Sequence, residues 1–476
     1  MLPFFLIARL VASSSCSRES APPTTSWILR GATVIDGTGA RPIEDAVVVV
    51  DKDRIVSVGP AGGIDPPEEA KVSDFLGKWI LPGMIDVHAH FLDSGSLYTS
   101  PDDYDLRAYV PHEEERERIR KRIPYTLSRY LCAGVTTVVS LGGPSWELDL
   151  RDIAAGSNAA PRVATSGPFI SSFPVGEFTL WTEEDPVLIQ ARSPDEGRAL
   201  VRGVARKGVD LIKTGFAVAP EHTLEDFLPI LDAIIDESHA QGLRVAVHAE
   251  EVAPAKAAVR LGCDILAHTV SDQPVDDELI QLMRDRGVLA VTGLGARARY
   301  ADVLRQRVEL LDVERACGDA EVTRSWDDLE RIPVEERPPV PEWIRTGSSP
   351  RAQGILLENA RRLHEAGIPL AVGSNGGTIG TLHGASFHRE LQLMAEAGIP
   401  ALDIIVAATR NGAFAMSRDP DRGTLEPGKL ADMIIINADP LANVLNLGRI
   451  HAVIKGGRLL DHNELLSREL PREESR

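Results

Sequence analysis

The sequence predicts an α/β protein, namely a (β/α)8 TIM barrel with a small composite β-sandwich domain formed by both chain ends. Through the middle of the chain, short apolar segments alternate with longer helical segments, as in βα units around a parallel sheet. At both ends, short β-branched runs alternate with Gly, Asp and Pro turns, which is typical of strands in a small sheet. The 476 residues are enough for one large domain and an accessory domain.

Residues 1–26 are predicted to be a signal peptide or a disordered tail. Their apolar stretch is too short to span a bilayer and is followed by small residues, as in an export signal. Cys16, which follows three serines, is a candidate for attachment of a membrane lipid anchor. We expect the chain to be exported, either periplasmic or secreted, or otherwise to be cytoplasmic with a misassigned start.

The accessory β-domain is predicted in two parts, residues 27–82 and residues 421–476, the second of which includes a C-terminal tail. The first part contains WILRGATVIDGTG and DAVVVVDKDRIVSVGP, and the second contains TLEPGKLADMIIINADP and RIHAVIKGGRLL. Because the two parts have the same pattern, we expect their strands to pair in one domain.

The barrel is predicted over residues 83–420. Its eight candidate strands are residues 84–90, 135–141, 162–167, 209–214, 243–249, 264–269, 288–293 and 368–374. A segment at about 310–350, rich in charge and proline, interrupts this rhythm before the eighth strand. It is either an insertion that covers the functional site or a solvated surface loop.

Composition limits the class of ligand. The formal net charge is −19 and the sequence pI is near 5.1, which disfavours binding to a nucleic-acid backbone. We therefore expect a small-molecule or peptide substrate, no nucleic-acid partner, and a homo-oligomer. The four cysteines are scattered without a C-x-x-C spacing, so they are predicted to be free.

Polar side chains close several of the candidate strands. Barrel enzymes carry their functional residues at the carboxyl ends of the strands, and four histidines and a lysine occupy such positions here. A buried, unpaired ammonium is costly, so a lysine at such a position needs a counter-charge or a modification. The pattern therefore predicts a metal site, and its residues are His88, His90, Lys213, His248 and His268.

These residues lie in motifs that resemble the amidohydrolase superfamily, specifically its imidazolonepropionase-like and Xaa-Pro or acyl-amino-acid dipeptidase-like group. The motifs are LPGMIDVHAHF, AGVTTVVSLGG, VDLIKT, the VHAE and AHT strand ends, HGASFHRELQLMAEAGIPALDIIVAATRNGAFAM and GTLEPGKLADMIIINADPL. The resemblance covers about residues 27–460.

The resemblance implies two divalent metal ions, with zinc the first choice for imidazole and oxygen ligands. His88 and His90 hold one metal, His248 and His268 hold the other, and a carboxylated Lys213 bridges both. A metal-activated hydroxide then cleaves a C–N amide bond, either in a dipeptide or N-acyl amino acid or in a cyclic amide such as an imidazolone.

One position departs from the family pattern. The strand-eight aspartate, which acts as general base, is replaced by Asn375, and an amide cannot accept a proton as a carboxylate does. Three alternatives follow. The protein is a metal-binding or ligand-binding relative with weakened catalysis; or His383 or His388 replaces the base; or Asn375, which precedes a glycine, deamidates to aspartate.

Four further residues are candidates for substrate binding. Phe173 lies in an aromatic segment after strand three that forms either a pocket wall or simple loop packing. Phe216 and His222 follow strand four. Arg297, just past strand seven, either pairs with a substrate carboxylate or is a surface arginine.

Overall fold

The computed structural model of the chain describes residues 26–64, 69–172, 185–215, 223–417 and 420–468. Its first five strands lie before the His-Ala-His sequence of residues 88–90, which we call the HAH motif. They are β1 (Trp27–Val34), β2 (Ile43–Asp51), β3 (Arg54–Pro60), β4 (Lys71–Asp74) and β5 (Trp79–Pro82). The branched side chains of these runs favour extended backbone, and Gly37 and Gly39, both at positive φ, make the turn after β1.

In the described part of the chain, ten parallel strands follow in two hydrogen-bonded sheets. They are β6 (Met84–Ala89), β7 (Val135–Ser140), β8 (Arg162–Thr165), β9 (Phe169–Ser171), β10 (Leu188–Gln190), β11 (Ile212–Gly215), β12 (Val245–His248), β13 (Ile265–Leu266), β14 (Leu289–Val291) and β15 (Leu370–Ala371). Each of the eight predicted strands is present, and β9 and β10 are additional. The sheet orders are β6-β7-β8 and β10-β9-β11-β12-β13-β14-β15.

Backbone hydrogen bonds join these two sheets at both margins. The Val87 N–H donates to the Val372 carbonyl at 3.0 Å, which links the region of β6 to the end of β15. The Asp210 N–H donates to the Thr165 carbonyl at 2.9 Å, which links β8 to the segment that enters β11. The carboxyl ends of the first and last predicted strands are therefore neighbours.

Helices connect the parallel strands and pack on them. They are α1 (His112–Cys132), α2 (Leu150–Ala155), α3 (Pro194–Ala205), α4 (Leu224–Ala240), α5 (Val252–Leu261), α6 (Asp277–Arg286), α7 (Ala296–Leu304), α8 (Asp312–Cys317), α9 (Ala320–Asp327), α10 (Glu342–Gly347), α11 (Pro350–Glu365), α12 (Phe387–Glu396), α13 (Ala401–Ala408) and α14 (Arg410–Ala415). Local sequence sets several of their ends. Helix α3, for example, begins with a Ser193 side chain that accepts from the Glu196 N–H, and α5 ends at left-handed Gly262.

The two chain ends share one sheet. The C-terminal elements are β16 (Met433–Ile436), β17 (Ile450–Lys455), β18 (Arg458–Asp461) and α15 (His462–Leu466). Strand β16 pairs antiparallel with β5, so the eight strands form the order β18-β17-β16-β5-β1-β2-β3, with β4 on β1. Their buried side chains, including Leu29, Val48 and Ile454, make a separate hydrophobic core. We call this unit the β-domain.

The segment predicted as an insertion folds into short helices that pack on the protein. Trp326, Leu329 and Ile344 are buried, so this segment is not a solvated loop. The Trp326 indole N–H donates to the Gly95 carbonyl at 2.9 Å, in the loop that follows the HAH motif. We call α8, α9 and α10, with the turns between them, the insertion.

The prediction that the cysteines are free is wrong for two of them. Cys132 and Cys317 form a disulfide across a sequence separation of 185, whereas Cys263 is free and buried. The pairing arises because the insertion packs against the end of α1, a contact that spacing along the sequence does not reveal. Cys16 lies outside the described residues. Within the part of the chain that is described, no helix has the length and apolar character needed to span a membrane.

Candidate active site

His88 and His90 lie at the carboxyl end of β6. Their Nε2 atoms are 3.2 Å apart, and their outer nitrogens face backbone carbonyls: His88 Nδ1 lies 3.0 Å from Ala267 O and His90 Nδ1 lies 3.3 Å from Gly142 O. A carbonyl oxygen can only accept, so each Nδ1 carries the proton and each Nε2 presents a lone pair. This carbonyl contact fixes ring orientation in the way that outer partners of metal ligands do.

Lys213 lies on β11, the strand predicted as the fourth. The residue is 2% exposed, and its Nζ has no hydrogen-bond partner among the residues that the structure describes. Burial lowers the pKa of Lys213 to about 7, because a low-dielectric site disfavours the ammonium. A buried amine without a partner is the kind of group that a ligand or a covalent modification would satisfy.

His248 and His268 complete the cluster. The ring of His268 lies between those of His88 and His248, with centroid distances of 4.7 and 4.6 Å. Gly215 is the register partner of His248 on the neighbouring strand, and a Cβ there would lie 2.7 Å from the His248 Cβ. Glycine at this position therefore leaves room for the imidazole.

The four imidazoles are neutral. Burial is the largest cause, and it lowers the pKa of His90 and of His248 to about 4 and the pKa values of His88 and His268 well below the usual range. Neutral imidazole is the form that binds a metal. The convergence of four such rings on the partnerless Lys213 amine fits a site for divalent metal ions.

Asn375 follows β15 and borders the same site. Its backbone N–H donates to the His88 carbonyl at 2.9 Å, and its φ of 54° lies in the left-handed region that asparagine tolerates. The side chain is buried, and within the described part of the chain its Oδ1 has no hydrogen-bond partner. A Cβ built on Gly293 would touch both the His268 Nδ1 at 3.4 Å and the Asn375 Nδ2 at 3.7 Å, which places the amide beside the histidine cluster.

Comparison with known proteins identifies the family of the chain. The Amidohydrolase family matches residues 79–460, which is most of the chain. The chain belongs to the amidohydrolase family. This membership supports a hydrolase that acts on C–N bonds, and it agrees with the family suggested by the sequence motifs.

Individual relatives of this amidohydrolase are distant. It is 25% identical to the imidazolonepropionase of Geobacillus kaustophilus over 452 residues, which cover 88% of this chain and 90% of that protein. It is also 25% identical to the imidazolonepropionase of Caulobacter vibrioides over 451 residues, which cover 88% of this chain and 94% of that protein. A crystal structure of a Xaa-Pro dipeptidase with bound methionine in the active site has a TM-score of 0.69 at 22% identity and covers 92% of this chain and all of that chain. Ochratoxinase from A. niger has a TM-score of 0.67 at 23% identity, with coverage of 92% and 96%. These two structures show similarity of fold.

His383 and His388, the two histidines predicted as possible replacements for the base, are held in hydrogen-bond contacts with the surrounding protein. The His383 Nε2 lies 2.8 Å from the Asp93 carbonyl and its Nδ1 lies 2.9 Å from the Tyr130 hydroxyl, so both ring nitrogens are occupied. Burial lowers the pKa of His383 to about 4. The His388 Nε2 lies 2.8 Å from the Ala133 carbonyl. These contacts favour roles in positioning the loop and α12.

The structure also bears on deamidation of Asn375. That reaction needs the Gly376 nitrogen to attack the asparagine side chain. Here the Gly376 N–H donates to the Ser374 Oγ at 3.0 Å, and the Ser374 Oγ in turn donates to the buried Asp86 carboxylate at 2.5 Å. The attacking nitrogen is thus held in a hydrogen bond, which disfavours deamidation in the folded protein.

Sequence reasoning overlooked Glu250, two residues past His248. Its carboxylate is ion-paired with Arg297, and its Oε1 lies 3.8 Å from the His268 Nδ1. Ligand atoms of Glu250, His248 and His268 all lie within 4.8 Å of one another. The VHAE motif could have revealed this residue, because it shows an acidic side chain two residues past the end of a strand.

The predicted substrate contacts have different outcomes. Arg297 is close to the histidine cluster, but its guanidinium already contacts Glu250 and donates to the Ser271 Oγ at 3.0 Å. Phe173, Phe216 and His222 lie outside the described residues. Phe169, on β9, is the described aromatic side chain beside His248, with ring centroids 6.4 Å apart.

Proposed function

We propose that the protein is a metal-dependent amidohydrolase that cleaves a C–N amide bond in a dipeptide or an N-acyl amino acid. The observation that carries this proposal is the convergence of four neutral imidazoles on the buried, partnerless amine of Lys213 at the carboxyl ends of the parallel strands. The outer nitrogens of His88 and His90 bond backbone carbonyls, but the Lys213 Nζ has no partner among the described residues, so the cluster keeps a buried polar group that a ligand would satisfy.

We further propose that the eight predicted parallel strands close into a (β/α)8 barrel and that the β-domain is a sandwich. The hydrogen bonds at both margins of the two parallel sheets support closure, and so does the fold similarity to the Xaa-Pro dipeptidase. In such a barrel the strand carboxyl ends meet at one face, where functional residues belong.

The site would hold two divalent metal ions, of which zinc is the preferred choice for imidazole and oxygen ligands. His88 and His90 would hold one ion, and His248 and His268 the other. The Lys213 amine would attack carbon dioxide, forming an N–C bond and losing a proton, and the resulting carbamate would supply anionic oxygen ligands that an unmodified lysine lacks. The low pKa of Lys213 supports this step, because only the neutral amine can attack.

The bound ions would supply Lewis acidity and an activated water for attack on the amide carbonyl. The chain's own residues orient the imidazoles and determine which hydrogen bonds are available at the site. The backbone carbonyls of Ala267 and Gly142 keep Nε2 of His88 and His90 unprotonated. Asn375 can donate a hydrogen bond through Nδ2 or accept one through Oδ1, but it cannot take the proton that a carboxylate would take. Positioned proton transfer is worth typically about 10²–10⁴-fold in rate, so we infer slow turnover.

Two other functions each rest on a specific observation. Hydrolysis of a cyclic amide is favoured by the similarity to imidazolonepropionases over 88% of the chain. A metal-binding or ligand-binding role with little hydrolysis is favoured by Asn375, the residue where the family base belongs. The dipeptide or acyl-amino-acid function is preferred because the structural similarity includes a Xaa-Pro dipeptidase crystallised with bound methionine.

The test combines metal content with activity in the full chain. Wild type is compared with His248→Gln and with His239→Gln, a matched control, since His239 lies on α4 with 44% of its side chain exposed. The assay panel contains N-acyl amino acids, Xaa-Pro dipeptides and imidazolones. We expect wild type and the control to hold two metal ions and hydrolyse one class of substrate, while His248→Gln loses both properties. Unchanged metal content in His248→Gln would refute the assignment.

A further inference from the structure

A second cluster of metal-ligating side chains lies apart from the candidate active site. Cys132 is the last residue of α1, Cys317 is the last residue of α8 in the insertion, and His462 is the first residue of α15 in the β-domain. Both cysteines are fully buried, and His462 is partly exposed. The cluster therefore stands where three parts of the protein meet.

The distances from the histidine to the two sulfurs suit a shared ligand. The His462 Nε2 lies 3.8 Å from the Cys132 Sγ and 3.7 Å from the Cys317 Sγ. In a tetrahedral zinc site, with Zn–S near 2.3 Å and Zn–N near 2.0 Å, the sulfur and nitrogen ligands lie about 3.6 Å apart and two sulfurs about 3.8 Å apart. Only the sulfur–sulfur separation would have to increase, and cleavage of the disulfide permits this.

The surroundings of the cluster favour a cation. Helix α1 is 21 residues long and ends at Cys132, so the negative end of its dipole points at the cluster. In the disulfide state the Cys132 carbonyl accepts from the His462 Nε2–H at 3.0 Å, so metal binding at Nε2 requires the ring proton to move to Nδ1.

We propose that Cys132, Cys317 and His462 form a zinc site when the two thiols are reduced, with water as the fourth ligand, and that the disulfide is the oxidised, metal-free state of the same site. With hydrogen peroxide as oxidant, the two zinc-bound thiolates lose two electrons as the S–S bond forms, and the peroxide O–O bond breaks and takes up two protons from solvent to give two waters. The zinc ion leaves to solvent. This site is separate from the metal centre of the proposed hydrolase.

Both states would attach the insertion to the rest of the protein. Ion pairs next to the cluster also attach the insertion to α1, because Arg122 of α1 pairs with Asp319 and Glu321 just beyond Cys317. The zinc state additionally includes α15 of the β-domain through His462. The cluster thus keeps the insertion in place under reducing as well as oxidising conditions.

Cobalt(II) is the probe, because thiolate ligands give it a near-ultraviolet charge-transfer absorption that nitrogen and oxygen ligands do not. The experiment uses the full chain carrying Cys16→Ser and Cys263→Ser, so that the only thiols are those of the proposed site. Metal-free protein is titrated with cobalt after reduction and, in parallel, as the disulfide. We expect the charge-transfer absorption, and one additional cobalt ion per chain, in the reduced sample alone.

Two substitutions in that background locate the site. Cys317→Ser should abolish the charge-transfer absorption, and His462→Gln should weaken cobalt binding at least tenfold, whereas His451→Gln, a nearby histidine outside the cluster, should change neither. Absence of the absorption from the reduced chain, or equal cobalt content in both redox states, would overturn the proposal. Neither result depends on the candidate active site, whose ligands include no thiolate and which would take up the same amount of cobalt in both samples.

Discussion

Gly215→Ala is the substitution that most sharply probes how the strands position the candidate metal ligands. Gly215 faces His248 across the pairing of β11 with β12, and a new Cβ would lie 2.7 Å from both the Cβ and the backbone oxygen of His248. Carbon atoms pack optimally at about 3.5 Å, so relief of the clash requires a shift of about 0.8 Å. Both residues belong to buried strands, where such a shift cannot be absorbed by a flexible side chain.

The shift translates into two measurable losses. Metal–ligand distances in functional sites hold to about ±0.2 Å, so displacement of His248 by several times that amount should lower metal affinity at least tenfold. Overpacking of a close-packed core should lower the free energy of unfolding by about 1–3 kcal/mol. Metal affinity is measured by competition with a chromophoric chelator, and stability by urea unfolding of the metal-free protein.

Gly354→Ala is the matched control. Gly354 lies in the middle of α11, and a Cβ there would contact nothing within 4 Å. Replacement of a helical glycine by alanine should leave metal affinity unchanged and raise the free energy of unfolding by up to about 1 kcal/mol. Wild-type metal affinity in Gly215→Ala would refute the placement of His248 among the ligands.

Three further predictions concern stability. Reduction of the Cys132–Cys317 disulfide, with a chelator present, should lower the free energy of unfolding by up to about 5 kcal/mol, because its loop spans 185 residues; an unchanged urea midpoint would contradict this. Burial raises the pKa of Glu147 from 4.5 to about 8, so the folded state binds the proton more tightly and stability should fall by roughly 5 kcal/mol as pH rises from 4.5 through 8. Glu147→Gln should remove that component of the pH dependence, and parallel pH profiles for the two proteins would contradict it. Arg299→Met should cost about 1.5–3 kcal/mol, because the buried Glu314 loses its partner at 2.9 Å and keeps an Arg389 contact at 3.6 Å, and adding Glu314→Gln should recover part of this loss in urea unfolding.

The parallel strands and the candidate metal ligands could be predicted from sequence for one physical reason. Each strand is a short run of apolar residues, and such runs bury both faces in a parallel sheet. His88, His248 and His268 each follow such a run, so the carboxyl ends of these strands could be predicted from the sequence without knowledge of how the strands are arranged. The spatial convergence then follows from the parallel order of the strands.

Other features depend on contacts that the sequence does not encode locally. The disulfide joins residues 185 positions apart, because the insertion packs on α1. Glu250 resembles any acidic residue after a strand until its distance to His268 is known. The shared sheet of the two chain ends was expected from their similar patterns, but the pairing of β16 with β5 required the tertiary structure. The roles of His383 and His388 also became clear only from their hydrogen-bond partners.

The most direct test of the proposed function is the turnover of Asn375→Asp against wild type at equal metal content. The left-handed backbone at this position accepts aspartate as readily as asparagine, so the substitution adds a carboxylate without straining the chain. Asn437→Asp, an exposed position in the β-domain, is the control for the same chemical change. We predict at least a tenfold rise in kcat on the best substrate for Asn375→Asp and none for the control. Equal kcat in wild type and Asn375→Asp, with both fully loaded with metal, would contradict the claim that this position limits catalysis.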